Sequence, residues 1–178
     1  GIYSLTAESE TAPCVRVYTP TQLGSRIDLN IYNMTSYELH LEDDEQQSRF
    51  EETLALASAL LNQAGLQIGE VRLMPVSETQ QESYHQISSF VQHDDMLNSV
   101  DIEDLADYEQ RSINLFLIEE YVDTLGAMSV AGLAGMVPGT PDNKGTLGGG
   151  ISVRLGDRHL SDSSVAQVLA HEIGHFLG

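Results

Sequence analysis

The stretch Ser161–Gly178, SDSSVAQVLAHEIGHFLG, decides the reading of this chain. Val165, Val168, Leu169, Ile173 and Phe176 recur at helical spacing, and Ser161, Asp162 or Ser163 can cap the N-terminus of the helix they predict. On that helix His171 and His175 stand one above the other, with Cβ atoms about 5–6 Å apart, so both imidazoles can reach one ion. Glu172 lies about 100° round the helix, near enough to serve a water on that ion without taking the same coordination position. This is the H-E-x-x-H pattern. Neutral imidazole is a good zinc ligand, and zinc lowers the pKa of its water towards about 7. Glu172 can then take the proton as general base while the metal polarises a scissile carbonyl, and peptide-bond hydrolysis is the natural reaction. The apolar flanks of the motif also predict that His171, Glu172 and His175 are all buried, with zinc as their partner.

Upstream, alternation of Ile27, Leu29 and Ile31 with polar neighbours in RIDLNIYNM predicts a half-buried strand. A long helix is expected over Asp44–Ala64, with Phe50, Leu54, Leu56, Ala57, Leu60 and Leu61 at three- and four-residue spacing and Gly65 as its C-terminal cap. A strand follows over Leu66–Met74, ended by Pro75. Ser77–Tyr108 is polar, and short helices are expected over His85–His93 and Ile102–Gln110. The continuous apolar run Ile113–Ile118 predicts a central strand covered on both faces. Ala131–Val137 in AGLAGMVPG reads as a short edge strand within a glycine-rich loop, and Ile151–Leu155 as one more strand. Residues 1–25 read as an extended arm, and residues 26–178 as one domain whose core can reach ordinary size.

Eight Lys plus Arg against 27 Asp plus Glu give a formal charge of −19, which repels phosphate backbones and anionic lipid and makes nucleic acid an unsuitable partner. Nothing in the sequence suggests membrane insertion. The single Cys14 has no internal disulfide partner.

HEIGHFLG resembles the first eight positions of the metzincin signature, H-E-x-x-H-x-x-G-x-x-H, with Gly178 at the position where that family turns its chain. The resemblance implies a zinc-dependent endopeptidase acting on peptide or protein substrates, with His171 and His175 as metal ligands and Glu172 as base. It implies an α+β, α/β-like zincin upper subdomain: a mixed, mostly parallel, twisted sheet of about five strands, an antiparallel edge strand, a long backing helix and an active-site helix. In this family the edge strand holds substrate, which assigns Ala131, Gly132, Leu133, Ala134 and Gly135 to substrate binding. The segments AGLAGMVPG, GGGISVRL and VLAHEIGHFLG are similar to secreted bacterial members, so a secreted, periplasmic or cell-surface bacterial protein is expected. The third histidine of the signature would fall three residues after Gly178 and the methionine turn further on. The 178 residues are therefore expected to form the N-terminal subdomain, and to bind zinc weakly and hydrolyse little by themselves.

His40, His85, His93 and His159 are expected to be surface or core histidines, and APCVRV around Cys14 lacks the pattern of a cysteine-switch latency device. The competing reading is a zincin-like binding module without catalysis, and a histidine at the third ligand position separates the two.

Overall fold

In the computed structural model, which describes residues 26–36, 44–100, 112–123, 125, 128, 130–135, 137–139, 149–155 and 163–178, the expected strands assemble around one sheet. Strands β1 (Arg26–Asn33), β2 (Gln67–Met74), β4 (Ser112–Ile118), β6 (Gly132–Ala134) and β7 (Gly150–Arg154) lie in the order β2-β1-β4-β7-β6. The pairs β1/β2, β1/β4 and β4/β7 are parallel, and β6/β7 is antiparallel. The mixed sheet with an antiparallel edge is therefore present.

The central place of β4 follows from its composition. All seven residues of SINLFLI are buried, as a strand covered on both faces requires. Ile113, Leu115 and Leu117 join Leu29, Ile31, Ile151 and Val153 in one core, where α1 (Asp44–Leu61) and α4 (Ser163–Leu177) lie together. Phe116 and Ile118 point the other way, into a second core with Tyr32, Met34, Met96 and Leu97. Tyr32 stacks on Phe116 with ring centroids 5.0 Å apart. At the other end of these strands Asn30 Nδ2 donates to Ser112 Oγ (2.8 Å) and to Asn114 Oδ1 (3.1 Å), a buried polar pairing that fixes the register of β1 on β4.

Helix α1 buries Phe50, Thr53, Ala57 and Leu61, while Leu56 and Leu60 remain on its outer side. A short 3-10 turn, Asn62–Ala64, extends it to Gly65, whose φ of 76° and N–H bond to Asn62 O make the expected left-handed cap.

The polar segment between β2 and β4 corrects one expectation. The segment does hold short helices, but of the span His85–His93 only Phe90–His93 is helical: α2 spans Glu78–Tyr84, a two-residue strand β3 follows at Gln86–Ile87, and α3 spans Phe90–Leu97. The serines set these boundaries. Ser77 and Gln80 form a reciprocal capping box at α2, and Ser89 Oγ accepts from Gln92 N at α3. Strand β3 pairs in parallel with β5 (Glu120–Tyr121), a ribbon the sequence reading did not anticipate. The edge strand is also shorter than Ala131–Val137, because it pairs only through Gly132–Ala134 before the chain turns. The helix expected over Ile102–Gln110, the arm 1–25, His40, His159 and the proposed caps Ser161 and Asp162 lie outside the described residues; Ser163 is the first residue of α4. No helix among the described residues is long and apolar enough to cross a membrane.

Candidate metal centre

Helix α4 turns Val165, Ala166, Leu169, Glu172, Ile173 and Phe176 into the protein. His171 and His175 lie off that stripe and are exposed, whereas Glu172 is only 6% exposed. The expectation that all three would be buried is therefore corrected. The physical reason is helical geometry, because the histidines share one face and Glu172, about 100° away, falls on the packed face.

The two imidazoles meet edge to face with centroids 4.3 Å apart, and their Nε2 atoms are 2.8 Å apart. In a neutral pair one of these nitrogens must donate to the other, whereas a shared cation uses both lone pairs at once. Convergent, exposed imidazole nitrogens thus fit two positions of a zinc site by donor chemistry. Among the described residues no group of three or more His, Cys, Asp or Glu side chains is arranged to hold a metal ion.

Glu172 lies beneath the edge strand. Gly132 of β6 approaches it so closely that a Cβ there would lie 2.6 Å from Glu172 Cγ and 2.8 Å from Oε1. Burial pushes the Glu172 carboxyl above the usual range, and the neighbouring His171 and His175 pull it partly back. Ala131 to Gly135 are held by the ladder to β7: Gly132 pairs with Val153, Leu133 with Ser152 and Ala134 with Ile151. Arg154 N donates to Ala131 O (2.9 Å) and Gly135 N to Gly150 O (3.1 Å). The other side of β6 carries no strand among the described residues, so its backbone groups can accept an added one.

The far end of α4 is fixed by a contact that sequence reading missed. Gly139 N donates to Phe176 O (2.5 Å), and a Cβ at Gly139 would lie 2.1 Å from the Phe176 ring, so the 137–139 turn is pressed on the last helical turn. Gly178 has φ of 90°, the left-handed conformation its place after the helix suggested, and its N–H reaches Gly174 O and His175 O. The only signal for the Gly139 contact was a glycine after Pro138, which alone does not identify a partner.

His85 and His93 stand away from the pair on α4. His85 Nδ1 lies 3.1 Å from both Gln81 O and Glu82 O. His93 is buried with Nε2 2.8 Å from Ser152 Oγ, which also lies 2.7 Å from Tyr121 OH. Burial lowers His93 to a pKa of about 4 and raises Tyr121 above its usual value. His93 is thus a core histidine and His85 a half-buried one near the surface, as expected; Cys14 lies outside the described residues.

No family model matches the sequence, and no curated protein matches it. Among solved structures the chain is similar to metalloproteinase-II from Bacteroides fragilis, with 16% identity and a TM-score of 0.48 over 86% of this chain and 42% of that one. This chain spans less than half the length of that protein.

Proposed function

We propose that this chain is part of a metzincin-type zinc endopeptidase, in which His171 and His175 hold the metal and Glu172 is the general base. The observation that carries the reading is the paired exposure of two convergent imidazoles beside a buried carboxylate on one helix, with the carboxylate directly beneath an open sheet edge. A bound zinc ion supplies Lewis acidity at the carbonyl and acidifies water. The chain's own residues do the rest. A substrate backbone adds to the free side of β6, where Ala131 to Gly135 offer main-chain groups, which favours tolerance of substrate sequence. Glu172 takes a proton from the attacking water as the water oxygen bonds the scissile carbonyl carbon, and gives it to the amine that leaves as the C–N bond breaks. A third protein ligand comes from outside the described residues in this reading. By the resemblance of its loop and helix segments to secreted bacterial proteins, we place the enzyme outside the bacterial cytoplasm.

The test is made on the full-length protein: zinc content by elemental analysis, and hydrolysis of an unstructured protein substrate with and without a chelator. We expect about one zinc per molecule, with hydrolysis abolished by the chelator. Glu172→Gln should retain zinc and lose roughly 100- to 10,000-fold in kcat. Zinc-free protein, or Glu172→Gln with unchanged turnover, would overturn the assignment and leave a binding module.

A further inference from the structure

We propose that Gly132 is a positioning residue for Glu172, and that the side chain it lacks leaves the space in which that carboxylate sits. The inference deepens the peptidase reading and rests on Glu172 being its base. Glycine at this point of an edge strand invites the explanation that a substrate backbone needs room. The structure gives the room another occupant. A Cβ at Gly132 would meet Glu172 Cγ at 2.6 Å, Glu172 Oε1 at 2.8 Å and Val168 Cγ1 at 2.8 Å, all on α4. Carbon atoms in favourable contact are about 3.5–4.0 Å apart, so these three approaches are repulsive.

Backbone conformation does not explain the glycine. Gly132 is not among the glycines of positive φ, which are Gly65 and Gly178 among the described residues. It sits in ordinary antiparallel pairing with Val153, and the next residues in the strand, Leu133 and Ala134, carry side chains.

Neither partner can back away. Strand β6 is tied to β7 by its ladder and by the flanking bonds at Ala131 and Gly135. Helix α4 is anchored by Leu169, Ile173 and Phe176, each at most 3% exposed. What must yield are side chains of α4: Glu172 from Cγ outward, which makes the closest approach, and the Val168 methyl beside it. His171 and His175 project from the exposed face and are not among the atoms that a Cβ at Gly132 meets first. A methyl group at position 132 therefore displaces the base and leaves the two imidazoles where they are.

Two measurements test this. The first needs no activity: thermal unfolding of the 178-residue chain as wild type, Gly132→Ala, Glu172→Ala and the double variant. Gly132→Ala is expected to lower Tm by roughly 3–6 °C in the wild-type background, and by clearly less where Glu172→Ala has removed two of the three crowded atoms and only Val168 Cγ1 remains. Equal effects in the two backgrounds, including no effect in either, would overturn the proposal. The second uses the zinc-loaded full-length enzyme, where Gly132→Ala should keep its zinc and hold KM within about threefold while kcat falls about 10- to 100-fold. Unchanged kcat, or a loss confined to KM, would also overturn it. Should the wild-type enzyme hydrolyse nothing, the peptidase reading fails by itself and the unfolding cycle alone decides whether Gly132 seats Glu172.

Discussion

Below pH 6.5 the buried imidazole of His93 becomes a cost to the folded state. Its unfolded counterpart takes a proton near pH 6.5, but burial holds the folded group to about 4. Between those values the unfolded chain binds more protons, so stability falls as pH drops through this window and levels off below it for this group. The full effect is about 3 kcal/mol, from roughly 1.4 kcal/mol for each pH unit of separation. His93→Gln keeps a polar partner for Ser152 Oγ and does not titrate. Denaturant unfolding at pH 7 and pH 5 should therefore show a smaller loss for His93→Gln than for the wild type, and equal losses would remove His93 from the acid sensitivity. At this same scale the sequence spoke clearly for His171, Glu172 and His175, because spacing on a helix is a local property. It could not tell which of them faced inward, since that depends on where the sheet lies.

Among the elements, the end of α1 offers a test of backbone alone. A Cβ at Gly65 would meet nothing within 4 Å, yet φ is 76°. Gly65→Ala is therefore predicted to cost about 1 kcal/mol without any clash, and Gly65→Asn less, as measured by equilibrium unfolding. The strands β1, β2 and β7 and the helices α1 and α4 were legible from their spaced apolar residues, and β4 from its continuous apolar run. The segment from Ser77 to Leu97 was not. Its boundaries rest on the hydroxyls of Ser77 and Ser89 and on side-chain bonds such as Gln92 Nε2 to Ser83 O and Gln86 O, which leave no apolar period to read. The ribbon β3/β5 was invisible for a different reason, as two-residue strands have no alternation. The edge strand was read from the segment AGLAGMVPG, but its length is set by pairing, and a glycine-rich sequence does not reveal where pairing stops.

For the whole molecule, a formal charge of −19 means that the compact state gathers repulsion which the unfolded chain spreads out. Raising the ionic strength from about 0.01 M to about 0.15 M shortens the screening length from roughly 30 Å to 8 Å. Tm is expected to rise by about 2–5 °C over that range in sodium chloride, read by scanning calorimetry. A flat response would show that the acidic groups are too far apart to matter.

The strand order also bears on how the chain reaches this state. Strand β1 is among the earliest in sequence, yet its partner β4 begins with Ser112 opposite Asp28, and the bond from Asn30 to Asn114 spans 84 positions. During synthesis β1 can pair with β2 as soon as Met74 has emerged, but the side of β1 that β4 will occupy stays open until Ile118 is free. Both cores need β4, so neither can close earlier. The half-made chain therefore passes through a stage in which an unpaired parallel edge and the apolar face of α1 are exposed together, a stage at which a holding chaperone has something to hold.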